Sequence, residues 1–309
     1  LPSFVFFLLS RIRRPLVLRR LNQNPILEPI REHWWESEAV FNPAAIFYNG
    51  RVHMLYRALG KDGVSRIGYA SSPDGVHFDE RLPYPVYTPE IAVESKFRNP
   101  FTSPARMKYD HALWASGGGW GGSEDPRIVA IDGRVYVTFN MFNGWDSMQV
   151  GLLSIDEEDF KNKKWNWNHF FLSPPRGRNK NWILFPEKIN GKFALLHNLH
   201  AADNEHVLVE YFDEIETPSH LAPFESPDPQ AAPNNIIGWH NHMRSAGAPP
   251  IKTKDGWLLF YHAMDKDDPN RYKVGALLLD LKDPTKILYR SDRPVLEPDA
   301  WYENDWKPG

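Results

Sequence analysis

The 309-residue chain sets 36 Lys and Arg against 39 Asp and Glu, a net charge of −3, with 42% hydrophobic and 24% charged residues. That balance suits a water-soluble protein and gives no charge-based reason for a nucleic-acid or membrane partner. There is no cysteine, which excludes a disulfide framework, a thiolate nucleophile and a cysteine-ligated metal. The 12 Trp, 12 Tyr, 18 Phe, 27 Pro and 20 Gly fit an all-β fold with many turns. They also fit a protein that stacks rings on sugars, although any single aromatic is more often core.

The chain opens with LPSFVFFLLSRIRRPLVLRR. The apolar run from Phe4 to Leu9 is far shorter than the roughly 20 residues of a membrane span. Arg11, Arg13 and Arg14 follow that run, whereas the basic residues of a secretory signal precede its apolar core. Residues 1–20 are therefore expected to be an irregular segment of a soluble, cytoplasmic protein.

A pattern then repeats four times: a proline, a short apolar run, Asn-Gly or Asp-Gly, and a second apolar run. It appears in NPAAIFYNGRVHMLYRA, DPRIVAIDGRVYVTFN, FPEKINGKFALLHN and APPIKTKDGWLLFYHA. Asn-Gly and Asp-Gly between apolar runs signal hairpins, because both central residues of a type I′ turn need positive φ. Third strands are predicted at SRIGYASS, MQVGLLSI, HVLVEYF and YKVGALLLD, each followed by an outer strand. The stretch DEEDFKNKKW is predicted to hold one or two helical turns. Pro43, Pro126, Pro186 and Pro250 are roughly 60 to 80 residues apart, longer than the roughly 40–50 of common propeller repeats. The excess falls in loops.

These features predict a β-propeller. In that architecture the first strand of each blade lines the central channel, and the residues just before it share one mouth. The equivalent positions would be Asn42, Asp125, residues 185–187 and residues 248–250. A propeller closes by bringing its last blade against its first, and only four blades are readable before WYENDWKPG. The expectation is one domain over 1–309, a five-bladed propeller lacking its fifth blade through C-terminal truncation. Open strand edges on the first and fourth blades would favour association into a homo-oligomer.

The motifs VFNPAAIFYNGRVHMLYRA, GYASSPDGVHF, GGSEDPRI, ILFPEKINGKFALLH, APPIKTKDGWLLFYHAMD and GALLLDLKDPTKILYRSDRPVLEP resemble glycoside hydrolase family 130, the β-mannoside phosphorylases and β-1,2-mannosidases. The resemblance runs from about Val17 to the C-terminus and implies a five-bladed propeller acting on β-manno-oligosaccharides. It implies that Asp125, in the EDPR motif, is the proton donor, with the proton travelling through a sugar hydroxyl in the phosphorylases. It also implies that Arg57 and Arg127 line the sugar and anion subsites. Arg178, Asn179 and Lys180 match a phosphate-binding segment, and His262 matches a YH motif near the anion. The pattern departs after His197, where Asn198 replaces an arginine.

A general acid must hold its proton near working pH, and a buried, water-poor funnel favours this by raising a carboxyl pKa. The alternative reading of Asp125 is a turn cap before Pro126. Inverting hydrolysis needs a second carboxylate roughly 6.5–9.5 Å away to hold water. Glu187 is the leading candidate base, followed by Asp265 and Glu205. Phosphorolysis needs a cationic clamp instead, best built from arginine, with inorganic phosphate as co-substrate and no cofactor. Asn198 tilts the expectation slightly to hydrolysis, with phosphorolysis to α-mannose 1-phosphate as the alternative and a non-catalytic carbohydrate-binding propeller as the second. Asn42, Arg57, Glu124, Arg127, Trp120 and Asp265 are expected to bind substrate; Arg178, Asn179, Lys180, His197 and His262 to bind the anion. Trp34, Trp35, Trp145 and Trp239 are further stacking candidates, and His240 and His242 are candidate loop contacts. The histidines show no metal-ligand spacing.

Overall fold

The computed structural model describes residues 18–89, 119, 121–142, 147–175, 177–199, 206–217 and 238–304. Within them the chain is almost entirely β. The first antiparallel meander contains β1 (Ala39–Tyr48), β2 (Arg51–Leu59), β3 (Val64–Ser72) and β4 (Glu80–Arg81). The second contains β5 (Gly121–Ile131), β6 (Arg134–Phe142), β7 (Ser147–Asp156) and β8 (Asn168–Phe171). After β9 (Gly177–Arg178), which pairs in parallel with β7, the third is β10 (Ile183–Leu184), β11 (Phe193–Asn198) and β12 (Leu208–Phe212). In the fourth, β13 (His242–Ala246) and β14 (Ile251–Lys252) both pair with β15 (Trp257–Asp265), followed by β16 (Asp268–Leu279) and β17 (Ile287–Arg290). Two short helices, α1 (Glu157–Lys161) and α2 (Trp301–Asn304), complete the described elements.

The turn chemistry places the hairpin tips. Asn49-Gly50, Asp132-Gly133 and Asn190-Gly191 have positive φ at both residues, as a type I′ turn requires. The fourth tip departs from expectation. At Asp255-Gly256 the glycine alone has positive φ, and the Thr253 hydroxyl closes a longer loop by accepting the N–H groups of both residues. The predicted third strands coincide with β3, β7, β12 and β16, and the acidic stretch forms α1. The first, second and fourth meanders have outer strands; among the described residues the third does not.

The meanders stack face to face. Leu55, Ile67, Tyr69, Ile128, Val137 and Phe139 form the core between the first and second. Val129, Tyr136, Leu152, Trp182 and Leu195 fill the next interface, and Ile183, Phe185, Leu196, Trp257 and Tyr261 the one after. Each such side chain contributes about 1.5–3 kcal/mol on burial. β3 lies between covered faces and is buried along its whole length, its serines and Arg66 included. One cross-strand pair recurs: Tyr56 opposite Gly68, Phe139 opposite Gly151 and Tyr261 opposite Gly275. A Cβ on any of these glycines would lie 2.3 Å from the facing ring.

Residues 18–20 lack regular structure but are held. The Leu18 N–H donates to the Val295 carbonyl at 3.0 Å, and Arg20 pairs with Glu303 at 2.7 Å.

Candidate active site

The site lies at the end of the meanders opposite the hairpin tips. Asn42 (φ 47°), Asp125 (φ 51°) and Asn181 (φ 62°) here adopt the left-handed conformation, which Asn and Asp tolerate better than other residues with a Cβ. Asn42 lies in a register shift of β1 between Phe41 and Ala44, and Asp125 in one of β5 between Glu124 and Arg127. A third shift, between Met243 and Ser245, carries Arg244 in β13. A bulge places an extra residue on one strand and re-aims its side chain. Pro43 and Pro126 have no N–H to lose from the interrupted ladder.

Two expected equivalences are corrected. The third and fourth members of the set are Asn181 and Arg244, not residues 185–187 and 248–250. β10 is only two residues long, so Pro186 falls beyond it on the hairpin side. In the fourth meander the inner strand is divided, and Pro249 and Pro250 lie between β13 and β14.

Gly122 brings the first two meanders together. It pairs in parallel with Ser65 at φ 117°, and a Cβ there would lie 2.2 Å from the Ser65 carbonyl oxygen. This close approach lets Arg57 reach Glu124 at 2.8 Å, with both side chains almost fully buried. Ser65 Oγ accepts from Arg57 Nε at 2.9 Å, and the guanidinium lies 4.6 Å over the Phe41 ring. Glu124 thus aims Arg57.

Asp125, with 18% of its side chain exposed, is 3.5 Å from Arg57 Nη1 through Oδ1. Oδ1 accepts from Asn42 Nδ2 at 2.7 Å and Oδ2 from Asn140 Nδ2 at 3.3 Å. Arg127 donates to the backbone carbonyl of Asp125 at 2.7 Å and to Asn181 Oδ1 at 2.8 Å. Asn181 Nδ2 donates to Ser245 Oγ at 2.7 Å, and Ser245 Oγ lies 3.0 Å from His262 Nε2. One hydrogen-bonded chain therefore joins residues from all four meanders.

Beside this chain opens a pocket of about 230 Å³, mouth included, lined by Lys180, His197, Asn198, Arg244 and Ser245. It is small and carries two cationic side chains, Lys180 and Arg244, which suits a small anion. Arg244 is held by Tyr272, whose hydroxyl accepts from Nε at 3.2 Å, and by His242 Nε2, 3.1 Å from Nη1.

Burial and crowded cations set the charge states. Burial lowers the Lys180 pKa, opposed by the attraction of Asp125. His262 is pushed down to about 3 by burial and then by Arg127, Lys180 and Arg244; burial takes His197 to about 4. For Asp125 the expectation reverses. Burial is the largest influence and pushes its pKa up, but Arg57, Arg127, the Asn42 amide and Lys180 together outweigh it and hold the carboxyl below its usual range. These neighbours favour the ionised carboxylate of Asp125.

The structure does not bring Glu187 to this cluster. It sits toward the tip of the β10–β11 hairpin, half-exposed, with its carboxylate on Lys252. Asp265 lies at the site end but caps the β15–β16 turn, accepting from the Asp267 N–H at 3.0 Å and from Asn241 at 3.1 Å. Asn179 is buried beside Lys180, its N–H on the Met148 carbonyl. Trp120, Trp145, Glu205 and the Arg178 side chain lie outside the described residues. Trp35 is core, its indole N–H donated to the Pro83 carbonyl. Trp239 stacks on Tyr261, and His240 is buried against the Tyr261 hydroxyl. Trp34 is exposed, with Arg66 over its ring at 4.5 Å. Among the described residues no three His, Asp or Glu side chains gather as a metal site. Sequence reasoning missed Asn140, Asn181, Arg244 and Ser245. Asn140 carried a usable signal, a polar residue within an apolar run, since a buried amide needs partners.

A family model for glycoside hydrolase family 130, described as β-1,4-mannooligosaccharide phosphorylase, matches residues 17–97 and 107–305. The chain belongs to glycoside hydrolase family 130. Its relatives include a 1,2-β-oligomannan phosphorylase of Thermoanaerobacter sp. (strain X514), 37% identical over 298 residues, covering 93% of this chain and 85% of that protein. A β-1,2-mannobiose phosphorylase of the same organism is 35% identical over 303 residues, covering 94% and 84%. A glycosyl hydrolase structure from Bacteroides ovatus superimposes with a TM-score of 0.65 at 24% identity, covering 92% of this chain and 82% of that one. The family 130 protein is thus an enzyme acting on β-mannosides; phosphorylases of the family take inorganic phosphate as co-substrate and no cofactor. No helix among its described residues is long and apolar enough to cross a membrane.

Proposed function

We propose that this family 130 enzyme cleaves β-mannosides by phosphorolysis, with inversion, to α-mannose 1-phosphate. The observation that carries the reading is the Lys180–Arg244 pocket, linked by hydrogen bonds to Asp125. It answers the expectation of hydrolysis drawn from Asn198: Arg244, from β13, supplies a second cation that the position after His197 does not. Glu187, the leading candidate base, is turned toward the hairpin tip instead. That two relatives are phosphorylases favours the same side.

In this reading Lys180 and Arg244 hold phosphate with an oxygen directed at the anomeric carbon. Asp125 gives its proton, relayed through a sugar hydroxyl as the family resemblance implies, to the departing glycosidic oxygen as that oxygen's bond to the anomeric carbon breaks and the carbon–oxygen bond to phosphate forms on the opposite face. Arg57 and Arg127 line the sugar subsite. A bound dianion offsets the cations that depress Asp125 and raises its pKa toward the working range. The four stacked meanders are read as blades of a five-bladed propeller in one domain.

The test is incubation with β-1,2- and β-1,4-mannobiose, with and without phosphate. β-1,2 linkages are expected to be cut better, since both Thermoanaerobacter relatives are named for them. Mannose 1-phosphate formed only with phosphate supports the reading; free mannose formed regardless of phosphate overturns it.

A further inference from the structure

Asn140 lies on β6, opposite Glu124 of β5, and is 1% exposed. Its amide orientation is determined by groups that can act in one way only. The Asn181 backbone N–H, a donor, points at Asn140 Oδ1 at 2.7 Å. Arg127, which has no acceptor, donates to Asn181 Oδ1, so that oxygen must be an acceptor for Asn140 as well. Asn140 Nδ2 therefore presents its two hydrogens to Asn181 Oδ1 at 2.9 Å and to Asp125 Oδ2 at 3.3 Å. Turning the amide over would set two acceptors against each other at Asn181 and two donors against each other at the backbone N–H.

Asp125 Oδ2 thus always faces a donor. A proton on Oδ2 must leave a lone pair free for the Asn140 N–H. Oδ1 faces Asn42, which the bulge presents from the neighbouring meander, and Arg57 Nη1 at 3.5 Å. Among the described residues the Asn42 side chain bonds only to Asp125, so its amide can turn to accept. We propose that Asn140 is a positioning residue: held by Asn181, it keeps a fixed donor on Oδ2 of Asp125, which orients the carboxyl and favours its ionised form. The same two asparagines tie that carboxyl to Ser245 at the pocket where phosphate is proposed to bind. The inference rests on Asp125 being the proton donor of a phosphorolysis reaction.

The test measures kcat for mannobiose phosphorolysis at saturating phosphate from pH 5 to 9, in wild type, Asn140→Asp and Asn140→Ala, with folding checked by circular dichroism and melting. A general acid loses activity as pH rises through its pKa. Asn140→Asp sets a like charge against Oδ2 and should move that alkaline limb up by about one pH unit or more. Asn140→Ala removes a bond to the ionised form and should move it up by less. kcat should fall roughly 10–100-fold in both, within the range that proton transfer supplies. A fall in kcat with the limb unmoved, in either folded variant, makes Asn140 merely structural and overturns the inference. So does wild-type behaviour of Asn140→Ala, which is small enough to fold if Asn140→Asp does not. If wild type makes no mannose 1-phosphate, the underlying reading has failed instead.

Discussion

The two ends of the meanders use the same residue types in the same backbone conformation for different ends. At the hairpin tips Asn49, Asp132 and Asn190 have φ of 48°, 50° and 52°; at the site Asn42, Asp125 and Asn181 have 47°, 51° and 62°. At the tips the next residue is glycine, and a Cβ on Gly50, Gly133 or Gly191 would meet nothing within 4 Å. At the site the next residue is proline or tryptophan, and the side chains bond across meanders. A left-handed Asx is therefore a backbone solution. What its side chain meets decides whether it also does chemistry.

That contrast can be broken hardest at Asp125. Asp125→Asn should lower kcat by about 10²–10⁴-fold with the circular dichroism spectrum unchanged; activity within tenfold of wild type would remove it from the reaction. Lys180→Ala and Arg244→Ala should each cost about 1.5–3 kcal/mol of charge-assisted binding, read as a phosphate KM raised roughly 10–100-fold. An unchanged KM would separate the pocket from phosphate.

Acid should act on the site end and spare the tips. His197, His240 and His262 are held neutral, at about 4, 4 and 3, while the unfolded chain binds their protons below about pH 6.5. Stability is then full above that pH and falls as pH drops toward 4, by up to about 1.4 kcal/mol per pH unit for each histidine. Melting temperatures from pH 7 to 4.5 check this, and His240→Gln should flatten the curve.

At the tips the effects are smaller and confined to stability. Asn190→Ala puts alanine at φ 52° and should cost about 1–2 kcal/mol, with kcat unchanged. Glu187→Gln removes an exposed ion pair with Lys252, worth at most about 1 kcal/mol. It should leave both stability and activity near wild type; a large activity loss would restore Glu187 as a base.

Three of the four tips were legible because a type I′ turn depends on two adjacent residues. The apolar runs located their strands, and EDPR, LYRA and the YH pair marked Asp125, Arg57 and His262. The site end was only partly legible, since it depends on which bulges converge. Arg244 went unseen because the second cation was sought directly after His197; it comes instead from a bulge one meander later. Glu187 was promoted because its proline was aligned with Pro43 and Pro126, which assumes an inner strand longer than the two residues of β10. Asn140, inside VTFNMF, was not singled out; its place in the site appears when Asn181, 41 residues away in sequence, is seen beside it.

The contact of Arg20 with Glu303 spans 283 residues of sequence. Closing so long a loop costs about 3 kcal/mol more entropy than closing one of about ten residues, since the cost grows as the logarithm of length. Hairpins should therefore form early and this latch late. A chain interrupted between those steps would show native-like β-structure by spectroscopy yet be catalytically silent, because its site is drawn from four meanders that have not all docked. Recovery of activity after dilution from denaturant should lag behind recovery of secondary structure.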